Sequence, residues 1–214
     1  MAQFYFSWRI CILSKKLAFT ALVVFLTIYQ TNAQNCTVNA GVLNETICET
    51  DALVLTGNNP SPIIGTVKWT QISGPAVTIN SPTSPSTTIS GYTGGNTYIF
   101  RYSATCGDGI VSYQDKVVNV KPITKANAGA NIASCPNNNG TLAIIANTPQ
   151  NTGETGYWEI VGANNAGVVI NFPNLATSTI TLPETSCGVT TLQWVIEGPE
   201  YAPGQRCRTT SQIT

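Results

Sequence analysis

Cysteine carries most of the reactive chemistry in this 214-residue sequence, at Cys11, Cys36, Cys48, Cys106, Cys135, Cys187 and Cys207. A thiolate binds metal, attacks an electrophile or closes a disulfide, and its neighbours decide which. None of these cysteines stands in a CxxC-type pair, the close spacing that zinc sites use. Histidine is absent, so the commonest general base and metal ligand is missing, and neither a Ser-His nor a Cys-His nucleophile can be assembled. A Ser-Lys arrangement remains chemically conceivable, but the lysines are scattered and none sits in a recognisable motif. Disulfide formation is the chemistry left for the cysteines.

Carboxylates and aromatics offer the other candidates. Asp108, in Cys106-Gly107-Asp108-Gly109, and Asp115 supply oxygen ligands of the type calcium uses, yet no DxDxDG-like cluster accompanies them, and a hairpin turn explains Asp108 alone. Glu184, Glu197 and Glu200 have the residue type of a glycosidase carboxylate pair, but all lie in or beside loops without counterparts in the first half of the chain. The expectation is therefore a chain that is not an enzyme and needs no cofactor, calcium being the one ion with candidate ligands. The rings of Trp69 and Trp158 suit stacking on sugars. Both sit in alternating strand patterns where a sandwich buries a tryptophan, so they are expected in the core with Phe100, Tyr102 and Trp194. Tyr92, Tyr157 and Tyr201 are better placed for surface contact.

The elements that must position these residues are strands. Charged residues make up 9% of the sequence, against roughly 25% in soluble domains. Thr, Ser, Asn and Gly fill the polar positions instead, a composition suited to pleated strands and turns. The formal net charge is zero. Arg9, Lys15 and Lys16 fall in the first 33 residues, leaving seven basic against ten acidic residues beyond them. No basic stripe exists to displace phosphate counterions, so nucleic acid is not an expected partner.

Residues 1–33 read as a cleaved signal peptide. Lys15-Lys16 precede an apolar run over 17–29, and Thr31-Asn32-Ala33 supplies small residues for cleavage. The run falls short of the about 20 residues a bilayer requires, and no membrane span is expected in the mature chain; an uncleaved anchor is the alternative. Cys36 does not directly follow the cut, which disfavours a lipoprotein anchor. Export places the six remaining cysteines in an oxidising compartment.

The chain then repeats itself. Asn39-Ala40-Gly41 recurs as Asn127-Ala128-Gly129, Cys48 as Cys135, and Trp69 as Trp158. Val77-Thr78-Ile79 recurs as Val168-Val169-Ile170, Thr88-Ile89 as Thr179-Ile180, and Phe100-Arg101-Tyr102 as Leu192-Gln193-Trp194. Cys106 is matched to Cys207, with a longer loop at 197–206 absorbing the offset. These landmarks divide the chain into sandwiches at 36–121 and 126–214, joined near Pro122. In the first copy, strands are expected at 52–55, 66–72, 77–79, 86–90, 97–104 and 113–120, punctuated by Gly, Pro and Asn turns. Gln212-Ile213-Thr214 matches the start of the 113–120 strand. The second sandwich is therefore expected to be truncated at its last strand, and the sequence to be an N-terminal fragment of a larger protein with further repeats. The repeat predicts Cys48–Cys106 and, by equivalence, Cys135–Cys207. Cys36 and Cys187 stay unassigned: a bond between them, a Cys135–Cys187 bond, and a bridge from Cys36 to another chain are all open.

The run Trp69-Thr70-Gln71-Ile72-Ser73-Gly74-Pro75-Ala76-Val77-Thr78-Ile79 resembles the central motif of PKD-like domains, the polycystic-kidney-disease-type immunoglobulin-like modules. Asn39-Ala40-Gly41 with Cys48 is similar to their first strand and turn, and Phe100-Arg101-Tyr102 followed by Cys106 to their penultimate strand. The second copy loses the Ser-Gly-Pro turn at Val161-Gly162-Ala163. The chain is similar to repeats in secreted surface proteins of Bacteroidota, of the gliding-motility and adhesin types. The resemblance implies an all-β fold of two tandem immunoglobulin-like sandwiches behind a signal peptide. It further implies a non-catalytic cell-surface or secreted adhesion or spacer module, with a cell-surface protein or a glycan as the partner class. An accessory or carbohydrate-binding region of a secreted hydrolase is the alternative. Ligand contacts are expected on the loops at 91–96 and 197–206.

Overall fold

The computed structural model describes residues 35–133, 140–164, 167–183 and 188–214. The expected signal peptide, Cys135, Cys187 and Glu184 lie outside the described residues. Period-two patterning accounts for the strands: Tyr98, Phe100, Tyr102 and Ala104 are buried while the residues between them are half-exposed or exposed. All regular structure among the described residues is β.

The first copy has seven strands, β1 (Asn44–Cys48), β2 (Val54–Thr56), β3 (Ile63–Ser73), β4 (Thr78–Ile79), β5 (Ser86–Ser90), β6 (Thr97–Cys106) and β7 (Val111–Lys121). One sheet has the order β1-β7-β6-β3 and the facing sheet β2-β5-β4. Leu55 and Ile89 from the smaller sheet meet Val67, Trp69, Phe100, Tyr102 and Val118 from the larger in one buried cluster. The second copy has β8 (Thr141–Ile145), β9 (Thr155–Val161), β10 (Val169–Ile170), β11 (Thr177–Thr181), β12 (Thr191–Ala202) and β13 (Gln205–Ile213). Its sheets are β10-β11-β8 and β13-β12-β9. Ile144 and Ile180 meet Trp158, Leu192, Trp194 and Ile196 between them.

The two copies repeat down to single hydrogen bonds. Asn39 N donates to Asn58 Oδ1 and Asn58 Nδ2 to Thr37 O; Asn127 N donates to Asn147 Oδ1 and Asn147 Nδ2 to Lys125 O. Trp69 pairs in register with Tyr102 and Trp158 with Trp194, their ring centroids 4.5 and 5.3 Å apart. Each indole N–H donates to a loop carbonyl, Trp69 to Pro85 and Trp158 to Ala176. Trp69, Trp158, Phe100, Tyr102 and Trp194 are all buried. The tryptophan faces are thus spent on the core rather than on a sugar.

Two features depart from the expected layout. First, β1 is a strand that the set expected from turn punctuation, beginning at 52–55, did not include. It runs parallel to β7, from Asn44 opposite Val117 to Cys48 opposite Lys121. Secondly, Cys207 does not match Cys106. Trp194 pairs with Ser211 as Tyr102 pairs with Gln114, so β13 corresponds to β7 and Cys207 lies on the last strand, not the penultimate one. Ala40 N donates to Gln114 Oε1 and Ala128 N to Ser211 Oγ, confirming the alignment. The supposed loop at 197–206 is mainly strand, a bulged lengthening of the β12–β13 hairpin.

These shifts overturn both predicted disulfides. Cys106 ends β6 beside the start of β7, whereas Cys48 ends β1 beside the end of β7. A strand of that length separates the two thiols by about 33 Å, far beyond disulfide reach. Cys106 instead bonds Cys36, with Cα atoms 5.2 Å apart. Cys207 bonds Cys48, with Cα atoms 5.5 Å apart, so the Cys135–Cys207 pairing is replaced by a bridge between the copies.

Trp69→Ala and Trp158→Ala each remove a buried ring at the heart of one core and are expected to cost about 3–5 kcal/mol. Urea unfolding followed by the remaining tryptophan fluorescence checks this.

Candidate functional site

The joint between the copies concentrates the polar and covalent chemistry of the described residues. Pro122 has no N–H for a ladder and closes β7. Glu49 follows β1 directly: its backbone N donates to Lys121 O at 3.0 Å. Its carboxylate accepts from Gly94 N on Oε2 and from Ile123 N on Oε1, both at 2.9 Å. The loop at 91–96 has to come close for this. A Cβ at Gly94 would meet Glu49 Oε2 at 2.4 Å and Pro122 Cα at 2.5 Å, so only glycine fits.

Past Glu49 the linker is held at successive residues. Ile123 is buried in the core of the second copy. Thr124 N and Oγ1 donate to the Glu154 carboxylate at 2.8 and 2.6 Å, and Thr209 Oγ1 donates to Thr124 O at 2.6 Å. Ala126 N in turn donates to Thr209 Oγ1. Glu154 also accepts from Gln150 N and from the backbone N and Nδ2 of Asn151. Burial acts to raise its pKa, but the hydrogen bonds from Thr124 and Asn151 outweigh that and hold the carboxyl below its ordinary value.

The disulfide closes the joint from the other side. Cys48 N donates to Asp51 Oδ2 in the turn after β1. Continuing the alignment of Trp194 with Tyr102, the residue matching Cys106 is Gly198. A Cβ there would lie 3.6 Å from the Cys207 Cβ and 3.7 Å from Ile123 Cδ1. With no cysteine at 198, Cys207 is free to reach across to the first copy. Beside the bridge is a cleft of about 490 Å³ lined by residues of both copies, among them Thr46, Lys121, Glu154, Pro199, Glu200 and Tyr201.

The geometry places the remaining candidates apart. Asp108 Oδ1 accepts from Ile110 N in a hairpin turn. Asp115 forms a two-pronged pair with Arg101 at 2.7 and 2.8 Å, and those hydrogen bonds hold its carboxyl below the ordinary range. The Arg101 guanidinium lies 3.8 Å from the centre of the Tyr113 ring. Among the described residues no group of three His, Cys, Asp or Glu side chains could hold a metal. Glu197 accepts from Tyr157 Oη at 3.1 Å and pairs with Arg208; Glu200 pairs with Arg206. Both carboxylates are thus engaged by arginines of β13. Tyr92 Oη donates to Asp51 O. The loops at 91–96 and 197–206, expected to bind a ligand, both lie at the joint. Sequence reading missed Glu49, Thr124 and Glu154, and no local signal marks them, because Glu49 and Glu154 are brought to the linker from 74 and 30 residues away.

Residues 41–120 match the family model described as K319L-like, PKD domain. No curated protein matches the chain. Among solved structures, the PKD domain from KIAA 1837 protein is similar at 26% identity over 42% of this chain and 89% of that one, with a TM-score of 0.35. Human CDH23 EC21-23 shares 12% identity over 84% of this chain and 64% of that one, with a TM-score of 0.36. Murine CEACAM1b shares 11% over 83% and 96%, with a TM-score of 0.35.

Non-reducing peptide mapping is expected to join Cys48 to Cys207 and Cys36 to Cys106. Glu154 gives a pH signature. A carboxyl lowered by folding stabilises fully above its unfolded value of about 4.5, and that stability is lost as pH falls through the folded value. Denaturation midpoints should drop between pH 5 and pH 3, and Glu154→Gln should make the drop smaller. Over residues 41–120 the first copy is thus similar to a PKD domain.

Proposed function

We propose that the chain is a non-catalytic module of a secreted or cell-surface protein, serving as a spacer and as a platform for adhesion. The observation that carries this reading is the covalent joint. The end of the first sandwich where β1 and β7 finish abuts the β12–β13 hairpin of the second, so the copies stack head to tail, with Cys48–Cys207 beside a linker hydrogen-bonded at Ile123, Thr124 and Lys125. Such a joint removes the bending freedom that an open four-residue linker would otherwise have. Disulfides persist in oxidising compartments, which favours a place outside the cytosol. The PKD-like match of the first copy supports the same class of role. Among the described residues no helix is long and apolar enough to cross a membrane.

Antibody against the chain should label intact cells before lysis. Deleting the region that encodes 36–214 should weaken attachment of the cells to a surface. Restoration by an unrelated rigid two-domain spacer identifies a spacer; failure to restore identifies a binding surface on this chain. Labelling only after lysis, or hydrolysis of a carbohydrate panel by the purified chain, overturns the reading.

A further inference from the structure

We propose that Cys48–Cys207 is a load bypass: tension passing from the first copy to the residues after Cys207 crosses the disulfide, leaving residues 49–206 off the loaded path. The inference deepens the spacer reading, since a tether bears load only when it links two bodies.

The bond closes a loop with a sequence separation of 159, enclosing the linker and the second copy up to Cys207. Its two ends are placed at opposite sides of that loop but side by side in space. Cys48 ends β1, and Cys207 lies near the start of β13, the last strand before Thr214. Pulling the second copy away from the first draws Cys48 along the axis of β1. The pairs from Asn44–Val117 to Cys48–Lys121 are set along that axis with their hydrogen bonds directed across it, so they bear the force in shear, together rather than one after another. On the other side, Cys207 to Ile213 is already an extended strand, whose rise per residue is close to the limit of the chain. The loaded path therefore has little slack. The route through the linker and then β8 to β12 runs in parallel with the covalent one, and cannot lengthen until the disulfide opens. Loss of sheet structure in the second copy leaves the distance between the ends of the tether almost unchanged. The hidden loop amounts to about 570 Å of extended chain.

Cys36–Cys106 serves as the internal contrast. It also closes a loop, with a separation of 70, but the chain from Cys36 to Cys48 is a short arm of that loop and already lies on the loaded path, so the bond hides no length once Cys48–Cys207 is intact.

Single-molecule pulling on the chain from residue 35, with handles joined enzymatically at the two termini, tests this without any partner. The oxidised protein should reach an end-to-end length of no more than about 70 Å, the full stretch from 35 to 48 and from 207 to 214, most of which the folded chain already spans. Adding a reductant should release about 570 Å more. In oxidising buffer Cys207→Ser should lengthen several-fold, whereas Cys36→Ser should lengthen no more than the unchanged protein. Release of several hundred ångström by the oxidised wild-type chain, or equal lengthening by the two variants, overturns the proposal. If Cys207→Ser does not fold, the unchanged protein before and after reduction decides alone. Surface labelling and pulling are read separately, so either reading can fail without the other.

Discussion

The parallel pairing of β1 with the end of β7 is the constraint on which the joint depends. It carries Cys48 to the end of the first sandwich where the chain leaves for the second. It places Glu49 next to Lys121, where one carboxylate satisfies both the 91–96 loop and the linker amide of Ile123. It also leaves Cys106, at the far end of the same sheet, for Cys36. A one-residue slip of β1 would turn Cys48 to the other face of the sheet and undo the bridge.

Each core is small, and the aromatic pairs do much of its packing. Trp69 with Tyr102, and Trp158 with Trp194, hold equivalent places because the register between penultimate and central strands is conserved between the copies. Domains of this size bury a modest share of their surface, so cross-links add usefully to stability. In the chain-entropy account, a loop as long as that closed by Cys48–Cys207 restricts the unfolded chain by about 5 kcal/mol. The same bond thus stabilises the fold and joins its halves.

The joint also redirects the search for a binding surface. Loops at one end of an immunoglobulin-like sandwich are commonly free to vary and bind, but here the lower loops of the first copy and the upper hairpin of the second face each other. The free end of the first copy, with the turn at Asp108 and the exposed Ile110, Val111 and Tyr113, is not engaged in this way. Arg101 and Asp115 extend that surface with a charged pair set beside the Tyr113 ring. On an otherwise charge-poor chain this is a distinct patch, and it lies away from the covalent joint.

The all-β class, the short strands of the first copy, the repeat and the core aromatics were all legible in the sequence. They depend on local pattern: alternation places Phe100 and Tyr102 on one face, Gly and Pro mark the turns, and equal spacing brings Trp69 and Trp158 to equal positions. The disulfides were not legible. A cysteine records only its place along the chain, and Cys106 and Cys207 look equivalent until strand pairing assigns one to β6 and the other to β13. The short run Asn44–Cys48 has too weak a pattern to announce a strand, because a parallel partner 73 residues away supplies its hydrogen bonds. Glu49 and Glu154 likewise acquire their roles from amides that only the folded chain brings near. Periodicity determined which residues face inward; long-range pairing alone decided which ends of the strands meet, and therefore which cysteines bond.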